Sequence, residues 1–150
     1  MGFLAYGEAL APDGKCKTFD AAANGLGRGD ASGTAVLAYV GDHAQNNAKV
    51  AGSGVNQDGR SASMSAPNGP SQVELLQDVV GRAAADSGTQ QCSETHGTGT
   101  ALGDPIEVGA LHAVVGEGGS GACLRVGAIK WRRGQREGAA GVRGGRKAGG

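Results

Sequence analysis

The strongest structural signal in this sequence is a helix start at Asp104 and Pro105, within the stretch ETHGTGTALGDPIEVGAL at residues 94–111. An Asp at the N-cap can accept a hydrogen bond from an unpaired backbone N–H, and Pro fits the first helical position because its missing N–H would have no partner there. Glu107 stands at the third helical position, and Gly116 is expected to end the helix. The apolar stripe of this helix comprises Ile106, Ala110, Leu111, Val114 and Val115.

A second helical pattern lies earlier in the chain. Ser71 can cap it, Glu74 can complete a capping box, and the pattern ends before Gly88. We expect an amphipathic helix whose apolar face needs a partner. The apolar positions that recur at helical spacing are Val73, Leu76, Val79, Val80, Ala83 and Ala84.

Short apolar runs alternate with these helices. Residues 34–40 (TAVLAYV) predict a buried strand, a second run follows a polar turn at residues 48–55, and residues 124–129 (LRVGAI) predict another strand. A strand leading into His96 is favoured by its position alone, because the residues ahead of it are mostly polar. Helices that alternate with strands predict an α/β layered fold.

Composition limits how stable such a fold can be. The 150 residues suffice for one domain, but 30 of them are glycine and only 3% are aromatic. Few large side chains are therefore available to fill a core, and we expect a weakly stable or incomplete domain.

Charge divides the chain into two parts. Residues 1–129 carry thirteen acidic and seven basic side chains, whereas residues 130–150 carry seven basic side chains and one acidic side chain. We therefore expect one domain over residues 1–129 and a diverged, disordered tail rich in Gly and Arg over residues 130–150.

The cysteines and the hydropathy indicate the compartment. Cys16, Cys92 and Cys123 are odd in number, widely separated and without paired C-x-x-C spacing, which favours a reducing environment. The first residues show no secretory signal, and no run approaches the roughly eighteen apolar residues of a membrane span. We predict a cytoplasmic protein without membrane association.

His96 lies in the predicted turn between a strand and a helix, among residues that suit a binding loop. Gly97 and Gly99 permit a close approach of a ligand, while Thr98 and Thr100 offer hydroxyl groups. A neutral imidazole at this place can donate an N–H to an oxygen that becomes negative during a reaction.

Three other interpretations of this loop stay open on the residues alone. A phosphate-binding loop is disfavoured, because the G-K-[ST] ending and the Rossmann glycine spacing are both missing. A metal site is not expected, since His43, His96 and His112 lack ligand-like spacing. The third interpretation is a purely structural, hydrogen-bonded histidine.

Two further stretches occur together with this loop, PDGKCKTFDAAANGLGRGD at residues 12–30 and GSGVNQDGRSASMSAPNGPSQ at residues 52–72. In order and spacing, the three stretches closely resemble the ketosynthase domain of β-ketoacyl synthases from modular type I polyketide synthases and the related fatty acid synthases. With the connecting helices, the resemblance covers nearly the whole chain up to Lys130.

The resemblance implies a thiolase-like αβαβα layered fold that is homodimeric when intact, of which this chain would hold the end of the first half and the start of the second half. It also implies a decarboxylative Claisen condensation between an acyl thioester held on a cysteine and a malonyl unit on an acyl carrier protein. Two histidines of the family assist that reaction, and His96 resembles the first of them.

Other site residues are implied by the same resemblance. Thr98 and Thr100 are similar to the positions that hydrogen-bond the phosphopantetheine arm, and Lys130 is similar to the family's lysine. No bound cofactor is implied; the phosphopantetheine arm of the acyl carrier protein carries the substrate.

Two catalytic residues of the family have no match in this sequence. No cysteine is followed by the serines that mark the nucleophile, and Gln135 stands in KWRRGQREGAAG (residues 130–141) where the second histidine belongs. Gln can donate a hydrogen bond but cannot transfer a proton as imidazole does. We therefore predict a partial ketosynthase that is inactive by itself: a gene fragment, a decayed copy or a mis-assembled reading frame.

Two alternatives to catalysis remain. One is a non-catalytic remnant that binds acyl carrier protein or forms dimers, because the loop facing the pantetheine arm is retained without the nucleophile. The other is a tail that binds RNA through its charge, although Trp131 is its only aromatic residue for base stacking.

Overall fold

The computed structural model of the chain describes residues 9–37, 39, 49–61, 66–83, 92–116, 124–136 and 139. In chain order, the elements are helix α1 (Gly69–Arg82), strand β1 (Cys92–Glu94), helix α2 (Gly103–Leu111) with a π-helical continuation (His112–Gly116), strand β2 (Arg125–Gly127) and the short helix α3 (Lys130–Arg133). None of the helices described is long and apolar enough to cross a membrane.

Helix α1 is capped by Asn68, so the prediction that Ser71 caps it is wrong. The Asn68 Oδ1 accepts a hydrogen bond from the backbone N–H of Ser71 at 3.2 Å. Its Nδ2 donates to the carbonyl oxygens of Asp58 and Arg60, at 2.7 and 3.0 Å. Asn68 is favoured because one carboxamide both caps the helix and fixes the preceding loop. The predicted end before Gly88 lies outside the described residues.

Two parts of the chain lie against helix α1. One is helix α2. The other is the segment at residues 52–54, where a Cβ added at Gly54 would lie 2.7 Å from the Val79 Cγ2 atom. A Cβ at Gly52 would lie 2.9 Å from the Val79 carbonyl oxygen. The segment can approach the helix this closely because it has glycine at both positions.

The strands β1 and β2 confirm the strand predicted ahead of His96 and, in shorter form, the strand predicted at residues 124–129. They are parallel neighbours, with Cys92 opposite Arg125 and Glu94 opposite Gly127. Parallel neighbours need a crossover connection, and α2 lies in that connection. This order places the loop between β1 and α2 at the carboxyl end of a strand, where ligand sites of α/β proteins commonly occur.

The two apolar runs predicted as strands nearer the start of the chain are not strands over their described residues. Residues 34–37 and 39 belong to no ladder, and Val36 and Leu37 are 92% and 81% exposed. Residues 49–55 are likewise outside any ladder. A strand needs neighbours for its N–H and C=O groups, and no other described segment forms a backbone ladder with these residues.

The core is small and made largely of small side chains. Among the described residues, none with a large side chain is completely buried. This agrees with the composition, which offers few large anchors. The buried apolar residues are Ala11, Cys16, Ala110, Leu111, Val115, Ala128 and Ala139.

The first residues of the predicted tail contact the body of the chain. The Gln135 N–H donates to the Gly27 carbonyl oxygen at 2.6 Å, and the Gly29 N–H donates to the Gln135 carbonyl oxygen at 2.8 Å. Residues 130–136 therefore pack against residues 27–29. Apart from Ala139, the rest of the predicted tail lies outside the described residues, and the domain boundary at residue 129 stays a prediction.

Candidate active site

The loop that bears His96 is fastened to α2 by the carboxylate of Glu107. The backbone N–H of His96 donates to Glu107 Oε1 at 2.5 Å, and the N–H of Gly97 donates to Oε2 at 2.8 Å. Hydrogen bonds to an ionised acceptor are stronger than neutral ones. The two bonds fix the direction in which the backbone leaves β1. They therefore also fix the position of the His96 backbone, from which the imidazole projects.

Asp104 fastens the same loop further along the chain. Its Oδ1 accepts from the Gly99 N–H at 3.1 Å, and its Oδ2 accepts from the Phe19 N–H at 2.8 Å. The predicted N-cap role of Asp104 is therefore wrong: Leu102 occupies that position and makes no side-chain cap bond. The reason is that the buried carboxylate turns back toward the loop, where two backbone donors need an acceptor.

Glu94, at the end of β1, ties the loop to the segment that leads into α3. Its Oε1 accepts from the Ile129 N–H at 2.5 Å. The next residue, Thr95, donates to the Gly127 carbonyl oxygen through both its N–H, at 2.8 Å, and its hydroxyl, at 3.0 Å. These contacts place the start of α3, and so Lys130, beside the loop.

The sequence analysis missed Glu94, Asp104 and Glu107 as acceptors for the loop backbone. A signal was present, because a loop rich in glycine leaves its backbone N–H groups without partners in secondary structure, and three acidic residues flank it. Their partners could not be read from sequence spacing; Phe19, for example, is 85 positions away from Asp104.

His96 is exposed, and its electrostatic surroundings favour the neutral ring. Removal of water by the neighbouring protein lowers the pKa of His96 below its ordinary value of 6.5, and the positive charge of Lys130 lowers it further. The carboxylates of Glu107 and Asp104 act in the opposite direction. Since the pKa lies below 6.5, the imidazole is neutral at pH 7 and carries one N–H donor.

Lys130 is the first residue of α3 and is buried. Burial lowers the pKa of its ammonium group, while the negative charges of Glu107 and Glu94 favour the charged form. Cys16 is also buried, and its Sγ accepts from the Gly27 N–H at 3.2 Å. The lysine therefore sits in a small ionisable cluster behind the histidine loop.

The two threonines of the loop lie close together. Thr98 is buried, and its hydroxyl lies 3.5 Å from that of Thr100. Thr100 Oγ1 also accepts from the Gly103 N–H at 3.2 Å. Thr100 borders a cavity of about 440 Å³ whose lining is mostly apolar. The other lining residues are Phe19, Asp20, Ala21, Ala23, Ala101, Asp104, Pro105 and Val108.

The glycines of the loop are needed for packing within the chain. Gly97 and Gly99 have φ values of 44° and 78°, a region that favours glycine. A Cβ at Gly97 would lie 2.5 Å from the Ala128 Cβ, and one at Gly99 would lie 2.5 Å from the backbone nitrogen of Lys17. The close approach expected for a ligand at these two glycines is therefore taken up by the chain itself.

Two family models match the sequence. One, described as the N-terminal domain of β-ketoacyl synthase, matches residues 1–43, and the other, described as its C-terminal domain, matches residues 47–148. The parallel strands, the crossover helix and the histidine loop thus belong to a known class of condensing enzyme. This chain is a member of the β-ketoacyl synthase family and holds part of a ketosynthase domain.

Curated relatives agree with this assignment. The chain is 44% identical over 141 residues to 5-methyl-1-naphthoate synthase of Streptomyces sahachiroi, a match that covers 91% of this chain and 8% of the relative. It is 45% identical over 141 residues to a phenolphthiocerol/phthiocerol polyketide synthase protein of Mycobacterium tuberculosis, covering 90% and 9%. The chain thus spans less than a tenth of the length of these relatives.

Solved structures confirm the predicted α/β, thiolase-like layered fold. The ketosynthase from module 6 of the bacillaene synthase of Bacillus subtilis 168 matches with a TM-score of 0.84 and 32% identity, over 97% of this chain and 27% of that one. An oxazolomycin ketosynthase domain from Streptomyces albus JA3453 matches with a TM-score of 0.79 and 26% identity, over 97% and 26%. The prediction of a partial ketosynthase is confirmed.

Proposed function

We propose that this chain contributes the first catalytic histidine and the pantetheine-facing loop to a β-ketoacyl synthase that catalyses decarboxylative Claisen condensation. The observation that carries the proposal is the state of His96: an exposed imidazole with a lowered pKa, on a loop whose backbone is held by Glu107. A neutral N–H donor on a fixed backbone can be aimed before any charge develops.

The role of His96 in the reaction follows from where negative charge appears. When the malonyl thioester loses carbon dioxide, the electron pair of the broken C–C bond passes into an enolate whose oxygen needs donors. His96 donates one N–H to that oxygen. The enolate carbon then attacks the acyl thioester carbonyl, and the cysteine thiolate leaves. That cysteine has no counterpart in this sequence, so we propose a contribution to a site rather than a complete one.

Thr98 and Thr100 are proposed to hydrogen-bond the phosphopantetheine arm of an acyl carrier protein. Support comes from their adjacent hydroxyls, 3.5 Å apart, and from the cavity beside Thr100. The arm carries amide groups along a flexible chain, which suits an apolar channel with a few hydroxyl donors. The partners are thus acyl carrier protein with acyl and malonyl thioesters, and in the intact domain a second subunit.

Lys130 is proposed as a positioning residue rather than a proton donor. Its buried charge helps to keep the His96 ring neutral, since an imidazolium beside it would be repelled. We also propose that the protein acts in the cytoplasm, where the buried thiol of Cys16 would stay reduced.

The direct test is a titration of the ¹⁵N-histidine-labelled chain with malonyl-pantetheine, followed by NMR. We expect the ring nitrogens of His96 to shift in a saturable way while those of His112, exposed beyond α2, stay unchanged. Thr100→Val should weaken the binding several-fold. Unchanged His96 resonances at millimolar ligand would refute the proposal.

A second measurement tests the predicted inactivity of the isolated chain. Incubation with an acyl thioester should leave its mass unaltered, because none of its three cysteines has the setting of the family's nucleophile. An acyl adduct on Cys16, Cys92 or Cys123 would contradict this prediction. Acetyl transfer to a complete ketosynthase under the same conditions is the positive control.

A non-catalytic remnant that binds acyl carrier protein is the second candidate, favoured by Gln135 in place of the second histidine. It predicts binding of the carrier protein that survives His96→Ala without loss. The catalytic proposal instead predicts that His96→Ala weakens the binding of malonyl-loaded acyl carrier protein several-fold and leaves the binding of holo acyl carrier protein unchanged. Titrations with the two forms of the carrier protein separate the candidates.

A further inference from the structure

Phe19 has a backbone conformation that a phenylalanine rarely adopts. Among the described residues it is the only one other than glycine with a positive φ, 61°. It is the third residue of a turn in which the Asp20 N–H donates to the Lys17 carbonyl oxygen at 3.1 Å. Glycine is the usual residue at a turn position that needs a positive φ. An aromatic side chain thus stands where the backbone energetics favour glycine.

Hydrogen bonds hold this turn against the histidine loop and α2. The Phe19 N–H donates to Asp104 Oδ2 at 2.8 Å, and the Thr18 hydroxyl donates to the Gly97 carbonyl oxygen at 2.6 Å. Because Asp104 is buried, water competes little for the bond between its carboxylate and Phe19. Three consecutive residues, 18 to 20, are therefore each fixed by a hydrogen bond, which gives Phe19 a set position.

Burial does not explain an aromatic side chain at this position. Phe19 remains 41% exposed, so its ring gains only part of the free energy that complete burial would give. A residue in a strained backbone conformation that packing does not repay is a candidate for a functional role. The cavities around Phe19 indicate what that role is.

Phe19 lies between two cavities. The first, of about 440 Å³, is the one beside Thr100, and the second, of about 400 Å³, is bordered by Trp131. Of the residues that line them, Phe19 and Asp20 are the two that border both. The Asp20 carboxylate accepts from the Ala22 N–H at 2.8 Å and so serves the turn itself. Phe19 is therefore the apolar partition between the two spaces.

We propose that Phe19 is a specificity-determining residue, which separates the two cavities and confines a bound pantetheine thioester to the one beside Thr100. An acyl chain too long for this cavity would have to pass Phe19 to reach the second cavity. The site thereby favours short acyl groups over long ones. The choice of pantetheine thioesters as ligands rests on the proposed function, whereas the partition rests on the geometry of Phe19.

The test compares acetyl-pantetheine with octanoyl-pantetheine, which differ only in the length of the acyl chain. Calorimetric titration gives both dissociation constants in the unsubstituted chain and in Phe19→Gly. In the unsubstituted chain, we expect octanoyl-pantetheine to bind no tighter than acetyl-pantetheine. In Phe19→Gly it should bind about tenfold tighter, because the added methylene groups leave water when they enter the second cavity.

Trp131 reports independently on where the acyl chain goes. It is the only tryptophan of the sequence, and it borders the second cavity but not the first. Octanoyl-pantetheine should shift its emission to shorter wavelength in Phe19→Gly and leave it unchanged in the unsubstituted chain. Phe19→Tyr, which keeps an aromatic ring, should behave as the unsubstituted chain does.

Val108→Ala is the matched control, because Val108 lines the first cavity only. Its truncation widens that cavity but leaves the partition in place. The Trp131 emission should therefore not respond to octanoyl-pantetheine in this variant. A response equal to that of Phe19→Gly would overturn the proposal.

Stability separates a partition from a packing role. Phe19→Gly removes the ring and also relieves the positive φ, so its urea midpoint, followed by circular dichroism, should fall clearly less than that of Leu111→Ala. A fall as large as that of Leu111→Ala would show that the ring serves packing, and it would overturn the proposal.

The remaining outcomes are equally decisive. Equal ratios of the two dissociation constants in the unsubstituted chain and in Phe19→Gly overturn the proposal, and so does a Trp131 shift in the unsubstituted chain. If neither thioester binds either chain, the proposal also falls, because there is no ligand to confine. The expected selectivity together with unchanged His96 resonances would leave this proposal standing and count against the proposed function instead.

Discussion

The histidine loop and the segment around Leu37 are both irregular, but they are held in opposite ways. In the loop, the N–H groups of His96, Gly97 and Gly99 each donate to a carboxylate from α2. In the segment around Leu37, residues 34–37 and 39 neither donate nor accept a backbone hydrogen bond to any described residue. One region is fixed by the chain's own charged acceptors, whereas the other has no backbone partner among the described residues.

The difference shows what a chain poor in large side chains can accomplish alone. Charged acceptors act over single hydrogen bonds and need only one neighbouring helix, so the loop can be ordered with little buried apolar surface. An apolar strand gains stability only when whole faces are covered, which requires several elements at once. The histidine loop is therefore held in place by contacts within this chain.

The largest expected effect comes from the glycines. Gly99→Ala should lower the free energy of unfolding by about 3 kcal/mol. A positive φ is disfavoured for alanine, and the added Cβ would lie 2.5 Å from the backbone nitrogen of Lys17. Gly59→Ala is the matched control, with a φ of 62° and nothing within 4 Å of its Cβ. It should lose only about 1 kcal/mol.

Urea unfolding followed by Trp131 fluorescence measures both variants, since Trp131 is the only tryptophan and lies next to the site. Equal losses at the two positions would mean that the packing around Gly99 adds nothing to the backbone cost. The conclusion that the histidine loop is tightly packed against Lys17 would then fail.

The second prediction concerns the carboxylate that holds the loop. Glu107→Gln leaves one carbonyl oxygen for the two N–H groups of His96 and Gly97 and removes the charge, which should cost about 2 kcal/mol. Glu74→Gln, the same change at an exposed position of α1, should stay within about 0.5 kcal/mol. Amide hydrogen exchange at residues 96 and 97 should rise only in the first variant; unchanged exchange there would show that Glu107 does not hold the loop.

The third prediction is electrostatic. Lys130→Met keeps most of the buried side chain but removes its charge, so the pKa of His96 should rise toward its ordinary value. In the unsubstituted chain, the lowered pKa means that unfolded chains bind this proton more readily. Stability should therefore fall as pH drops below about 6.5, and less so in the variant. NMR titration of the His96 ring gives the pKa directly, with His112 as internal reference. A lower pKa in the variant would contradict the assigned cause.

The features that could be predicted from the sequence are those whose signals are local. Pro105 and the apolar stripe after it identify α2, and the short apolar run after that helix identifies β2. These signals need no knowledge of distant residues, because proline at the first turn and helical periodicity act within a few positions.

What could not be predicted depends on partners far away in sequence. Asn68 rather than Ser71 caps α1, because the Asn68 carboxamide also donates to the carbonyl oxygens of Asp58 and Arg60. The sequence around Asp104 predicts an N-cap, but its carboxylate instead accepts a hydrogen bond from the backbone N–H of Phe19. The apolar pattern at residues 34–40 predicts a strand, yet a strand forms only beside a neighbour, and none is present among the described residues.

The smallest expected change in the free energy of unfolding is at Leu37. A small change there would show that its side chain is not packed in the isolated chain. Leu37→Ala should change the free energy of unfolding of the isolated chain by less than about 0.5 kcal/mol, since the side chain is 81% exposed. Leu111→Ala, the same change at a residue that is 6% exposed, should cost about 2 to 3 kcal/mol. A loss at Leu37 comparable to that at Leu111 would show that the segment is already packed in the isolated chain.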